Sequence, residues 1–243
     1  MEKFNTVCTD SVSSITSSVP SRVLFTVPHD GARPTKFASL ISPRKNGITR
    51  RDRGTWSITR GVLRFFSADV VVGHESRKYI DYNRACQEAF ESSLMAHTYA
   101  RYHGMISRWA DQRRKIYPIE ELLVIDMHSF PKDRPERMCD GYDLVLGTAH
   151  RKTILYGQPD RAFGEFMRAR GYSVFIPDVK PARTDEPDNF SGGYTVRTVA
   201  KDWHINTLQI EISEPKFCTP NSALAGTKLS EDIGMCLSEY CGR

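Results

Sequence analysis

The sequence contains no apolar run approaching the roughly 20 residues that a membrane-spanning helix needs. Residues 1–20 are rich in Ser and Thr and lack the apolar stretch of a secretory leader. From both absences we expect a cytoplasmic protein with no membrane partner. No CxxC pair occurs among the six cysteines, Cys8, Cys86, Cys139, Cys218, Cys236 and Cys241, which disfavours a zinc ribbon or a thioredoxin-type centre. Without a leader to an oxidising compartment, reduced thiols are expected. Internal repeats and low-complexity tracts are absent, and so is a strong charge imbalance. The surplus is +5, from 34 Lys and Arg against 29 Asp and Glu, too mild to require a nucleic-acid partner.

What is present fits an ordinary globular chain, with 40% apolar and 26% charged residues. Residues 1–20 read as a flexible arm closed by Pro20, followed by one domain over residues 21–243. The β-branched and aromatic run at 22–27 predicts a buried strand, stopped by the turn residues Pro28-His29-Asp30-Gly31. Helical spacing follows at 55–66, then an apolar strand at 68–73 and a continuous helical pattern at 85–115. Residues 120–127 form a near-continuous apolar run, the mark of a parallel strand covered on both faces, and a turn is expected at 128–131. Further strands are expected at 143–146, 172–176 and 206–212, with helices at 160–170 and 229–240. This alternation predicts a single α/β domain, a mostly parallel mixed sheet with helices on both faces. In such sheets the active groups lie just beyond the carboxyl ends of the strands.

Three strand ends carry groups that packing does not need. The first delivers His29, the third Asp126, His128 and Ser129, and the last Glu211, while Asp52 stands in Arg51-Asp52-Arg53-Gly54-Thr55. Two imidazoles and a carboxylate suit Zn²⁺, and a separate glutamate can act as general base. Taken singly, each has a structural reading. His29 can cap a turn, Asp52 can pair with Arg51 or Arg53, and Glu211 can sit in a buried salt bridge. Ser129 orients a ligand or caps a turn. His150 reads as a loop residue, and His74, His97, His103 and His204 as structural or exposed. The basic run Arg113-Arg114-Lys115 reads as a solvated helix end.

Six segments stand in order along the chain: Val27-Pro28-His29-Asp30-Gly31-Ala32-Arg33-Pro34, Arg51-Asp52-Arg53-Gly54-Thr55, Tyr79-Ile80-Asp81-Tyr82-Asn83-Arg84, Asp126-Met127-His128-Ser129, Ser191-Gly192-Gly193-Tyr194-Thr195 and Leu208-Gln209-Ile210-Glu211-Ile212. Together they resemble the N-formylglutamate amidohydrolase family, whose core is similar to zinc carboxypeptidases and aspartoacylase-type deacylases. The resemblance implies a carboxypeptidase-like (phosphorylase/hydrolase-like) fold and one Zn²⁺ or another divalent metal on His29, Asp52 and His128. It implies Glu211 as the catalytic glutamate and Asn83 with Arg84 as the grip on a substrate carboxylate, which a guanidinium fork fits bidentately. Arg197 is a candidate for polarising the substrate carbonyl and Arg33 for adding positive field. Gly192 and Gly193 are candidates for a close backbone approach to substrate. The chain departs from the family pattern at Asp30, between His29 and Gly31, and at Ser213-Glu214-Pro215 after the last strand. Ala32 stands where related carboxypeptidases carry their acidic ligand.

The expected function is therefore zinc-dependent hydrolysis of the amide of a small anionic N-acyl amino acid such as N-formyl-glutamate. A carboxypeptidase or another deacylase on the same fold is the alternative enzyme. A non-catalytic domain binding anionic ligands or nucleic acid is the alternative of another class.

Overall fold

The computed structural model describes residues 4–8, 11–131, 141–177, 186 and 190–241. Eight strands form one mixed sheet in the order β1-β2-β4-β3-β5-β8-β6-β7. They are β1 (Phe4–Cys8), β2 (Val12–Ser17), β3 (Val23–Val27), β4 (Asp69–Gly73), β5 (Leu123–Phe130), β6 (Leu144–Gly147), β7 (Val174–Phe175) and β8 (Asn206–Ser213). The central four, β4, β3, β5 and β8, are mutually parallel, and antiparallel pairs flank them on both sides. The longer helices are α1 (Thr55–Val62), α3 (Ala96–Arg113), α4 (Pro159–Ala169), α5 (Tyr194–Trp203) and α7 (Ala223–Cys241), with short turns α2 (Cys86–Ala89) and α6 (Glu214–Phe217).

The pleat explains the layering, because alternate side chains along a strand face opposite sides. Val23, Phe25, Val27, Ile125, Met127, Leu208, Ile210 and Ile212 pack on one face with Ile58 of α1, Met167 of α4 and Ile233 of α7. Leu24, Val71 and Val124 pack on the other with Tyr102, Ile106 and Trp109 of α3 and Val199 of α5. Helices therefore cover both faces, as the strand–helix alternation predicted. The β5 run is buried at every position, which its continuous apolar character required.

Several details differ from the sequence expectations. The segment read as a flexible arm carries β1 and β2, and β2 pairs antiparallel with β4 from Val12↔Gly73 to Ile15↔Val70. Its hydrogen bonds cover what would otherwise be a bare edge of the central block, and Val12 is buried against α3's cluster. The strand expected to stop before His128 continues through Phe130, because Ser129 and Phe130 keep pairing with Ile212 and Ser213. The helical pattern at 85–115 breaks around Phe90, whose extended backbone separates α2 from α3. Arg113 is no solvated helix end. It is buried, with its guanidinium 2.7 Å from Asp69. Helix α5 had no counterpart in the sequence reading. Cys86, Cys218 and Cys241 carry free thiols, and Cys139 lies outside the described residues.

The topology also sets the location of the site. From β3 the chain passes through α1 on one face to β4, and from β4 through α3 on the other face to β5. In the strand order the next strand after β3, β4, lies on one side, and the next after β5, β6, lies on the other, beyond β8. The order therefore reverses between β3 and β5, and the usual ligand position in open α/β sheets is beyond the carboxyl ends of strands at such a point.

Candidate active site

His29 stands two residues past the end of β3, and His128 lies near the end of β5, so both imidazoles meet beyond the ends of these neighbouring strands. Their Nδ1 atoms are 3.2 Å apart. Asp52 Oδ2 lies 3.3 Å from His29 Nδ1 and 2.8 Å from His128 Nδ1. All three residues are buried, and their donor atoms fall within 4.8 Å of one another. Of the expected metal ligands, none is left outside the cluster.

The far side of each imidazole decides its tautomer. His29 Nε2 is 2.6 Å from Asp81 Oδ1, and His128 Nε2 is 2.9 Å from Asp126 Oδ2. A carboxylate at that distance calls for a proton on Nε2, which leaves the Nδ1 lone pair pointing at Asp52. Two such lone pairs and a carboxylate oxygen in one small buried space repel each other unless a cation sits among them. The donor set, two imidazole nitrogens and one carboxylate oxygen, is one that Zn²⁺ accepts. The residues present therefore fit a divalent metal. Without one, burial disfavours a charged His128. The facing Asp126 and Asp52 outweigh that, with a further contribution from Glu211, and hold its pKa well above the usual range. Burial likewise opposes the Asp52 charge, but His29, His128 and Arg77 keep its carboxyl well below the ordinary value.

Arg77 and Asp81 were not singled out from the sequence. Arg77 reaches Asp52 Oδ1 at 3.2 Å and Asp81 Oδ2 at 3.1 Å, tying Asp52 to the carboxylate behind His29. Their i, i+4 spacing and the position of Asp81 within the Tyr79–Arg84 motif were the available signals. Asp126 is held in turn by the Thr26 hydroxyl, which donates to Oδ1 at 2.6 Å.

The segment carrying Asp52 is gripped from several sides. Asp30 accepts from Arg51 Nε at 3.0 Å and from the Trp56 backbone N–H at 2.8 Å. Glu214 pairs with Arg50, and the Ser129 hydroxyl donates to the Arg53 carbonyl at 3.1 Å. The two departures from the family pattern, Asp30 and Glu214, thus brace the Asp52 loop. Ser129 acts there too.

Glu211 stands on β8 in register with His128 on β5, and both are buried. Gln209 Nε2 donates to Glu211 Oε1 at 3.0 Å, and the Gly193 N–H donates to Gln209 Oε1 at 2.8 Å. Asn83 accepts from the Thr195 N–H at 2.7 Å, and its Nδ2 lies 3.1 Å from His128 Nε2. A Cβ on Gly193 would fall 2.0 Å from Asn83 Nδ2, so glycine is required there by contact. Gly192 adopts φ +98°, the left-handed region that favours glycine. Arg84 lies 3.5 Å from Asp81 Oδ2 and 3.6 Å from Glu88, its side chain 38% exposed. Arg33 and Arg197 stand at the surface, Arg197 3.3 Å from the Ser191 hydroxyl. Of the other histidines, His74 bonds Ser13, His103 bonds the Tyr82 carbonyl, and His204 caps α5 in the left-handed conformation. The His150 N–H donates to Glu186.

The family model of N-formylglutamate amidohydrolases matches residues 88–217, a span that includes His128, Gly192, Gly193, Arg197 and Glu211 but begins after His29, Asp52, Asn83 and Arg84. No curated protein sequence matches the chain. Among solved structures, an N-formylglutamate amidohydrolase from Ralstonia eutropha JMP134 superposes with a TM-score of 0.71 at 16% identity, covering 96% of this chain and 98% of that one. A gene product of Agrobacterium tumefaciens gives 0.67 at 17% identity, covering 94% and 95%. A succinylglutamate desuccinylase from Vibrio parahaemolyticus gives 0.51 at 8% identity, covering 100% and 68%. At these identities the structures establish a shared fold, of the kind also found in desuccinylases.

Proposed function

The chain belongs to the N-formylglutamate amidohydrolase family, and on that premise we propose that it is a zinc-dependent hydrolase of N-formyl-glutamate or a similar small acidic N-acyl amino acid. The observation that carries the reading is the convergence of His29 Nδ1, His128 Nδ1 and Asp52 Oδ2 at one buried point, with each imidazole oriented from behind by a carboxylate.

In this reading His29, Asp52 and His128 hold the metal, which when bound supplies Lewis acidity and lowers the pKa of its water to about 7. Glu211 is the general base. It takes a proton from the attacking water and passes it to the leaving nitrogen, so that the C–N bond breaks as the acyl carbon gains oxygen. The half-exposed guanidinium of Arg84, next to Asn83, receives the substrate carboxylate through paired N–H donors. Arg197 neutralises charge developing on the carbonyl oxygen, a contact worth about 3–4 kcal/mol when preorganised. Arg33 adds positive field at the mouth, and Gly192 with Gly193 allows substrate to approach the backbone.

The test is metal analysis of the purified protein together with hydrolysis of N-formyl-, N-acetyl- and N-succinyl-glutamate, repeated with His128→Ala. The expected result is about one metal per chain and hydrolysis of the formyl compound, both lost in the variant. A wild type that hydrolyses without bound metal, or a variant with undiminished hydrolysis, overturns the mechanism.

A further inference from the structure

Gln209 and Glu211 lie two residues apart on β8, so they share a face of the sheet, and both are buried. A side-chain amide oxygen only accepts hydrogen bonds, and its nitrogen only donates them. The Gly193 N–H, fixed by the backbone at the start of α5, donates to Gln209 Oε1 at 2.8 Å. That contact settles the orientation of the amide, because a flipped amide would set NH₂ against N–H. Gln209 Nε2 must then face Glu211 Oε1, to which it donates at 3.0 Å. Hydrogen bonds to a carboxylate are among the stronger ones. Two residues further on, the Thr195 N–H donates to Asn83 Oδ1 at 2.7 Å in the same way.

We infer that Gln209 is a positioning residue for Glu211, carrying the fixed position of the α5 N-terminus to the carboxylate that moves the proton. The inference rests on Glu211 being the base, as proposed above. A glutamate side chain rotates about three torsions. With Oε1 held by Gln209 and the backbone behind it, the carboxylate is confined before substrate arrives, and Oε2 is the oxygen assigned to the proton. The Gln209 amide thus has a use that packing alone does not explain.

The experiment compares kcat, KM and bound metal for N-formyl-glutamate hydrolysis in the wild type, Gln209→Met, Gln209→Glu, Glu211→Gln and the double variant Gln209→Met with Glu211→Gln. Met keeps the length of the side chain and loses both hydrogen bonds. Glu keeps the acceptor for the Gly193 N–H and replaces the amide donor with a second carboxyl against Glu211, with which it shares a proton, so it serves as a second disruption of the contact if the Met variant folds poorly. Both are expected to lower kcat about 10–100-fold, the scale of a misplaced reacting group, with KM and metal content within twofold of wild type. The double variant is expected to match the residual rate of Glu211→Gln, because Gln209 acts through that carboxylate. Wild-type kcat in the Gln209 variants, or losses that multiply in the double variant, overturn the inference while leaving Glu211 as the base. Full activity in Glu211→Gln overturns the reading of the base itself.

Discussion

Individual side chains in this cluster come in pairs, one at its centre and one behind it. His29 has Asp81 behind it, His128 has Asp126, and Asp52 has Arg77. Such outer partners typically matter 10–100-fold for metal affinity. Arg77 is unusual in serving two of the three, since its guanidinium spans Asp52 Oδ1 and Asp81 Oδ2. Replacing it by Met keeps the bulk and removes both hydrogen bonds. Arg77→Met is expected to weaken metal binding about 10–100-fold, read by chelator competition on the purified protein. An unchanged metal dissociation constant would show that Asp52 needs no such support. The cysteines have no comparable place. Burial pushes the Cys218 thiol up to about 12 and the Cys241 thiol up to about 11, which leaves both protonated and unreactive near neutrality.

Among helices and strands, the docking of α3 against β4 rests on a buried charge. Asp69 opens β4 and accepts from Arg113 at 2.7 Å and from the Trp109 indole N–H at 2.8 Å, both on α3. Burial raises the Asp69 pKa, and Arg113 opposes that shift. Removing one partner of a buried ion pair leaves an uncompensated charge, at a cost of about 3–5 kcal/mol. Arg113→Met is therefore expected to lower the urea midpoint by an amount corresponding to about 3 kcal/mol, the low end, because Trp109 and the Ser17 N–H still hold the carboxylate. Adding Asp69→Asn should recover part of the loss, since the pair then ends without a buried charge. Helix α3 also explains why residues 12–17 belong to the sheet. Val12 and Val71 share its apolar cluster, so the segment is bound by packing as well as by strand pairing.

For the protein as one body, stability should depend on pH and on metal. His103 packs against the Tyr99 ring with centroids 4.3 Å apart and is bonded to the Tyr82 carbonyl, and burial lowers its pKa to about 4 from an ordinary value near 6.5. Because the folded state holds it neutral, its contribution is complete above about pH 6.5 and is lost as the pH falls toward about 4. A thermal midpoint that falls steadily over that window, and less steeply in His103→Gln, is the expected result. A metal held only by the folded chain stabilises it by about 4 kcal/mol when present at roughly 1,000 times its dissociation constant. Chelation should therefore lower the midpoint in wild type and change it little in His128→Ala. The layered α/β architecture and the strands β3, β4 and β5 were legible in the sequence, because burial on two faces writes an apolar run that needs no partner to be read, and β8 was legible from the alternation of Leu208, Ile210 and Ile212. His29, His128 and Glu211 were legible for the converse reason, being polar groups at the ends of strands whose packing does not call for them. Folding settled what the pattern along a chain does not record, namely which residues meet across it. The three proposed ligands are separated by 23, 76 and 99 positions. Asp52 was named beforehand only through the resemblance, and its meeting with both imidazoles, like the backing of the site by Arg77, Asp81 and Gln209, follows from the tertiary structure, which brings segments far apart in the chain within hydrogen-bond reach beyond the ends of β3 and β5.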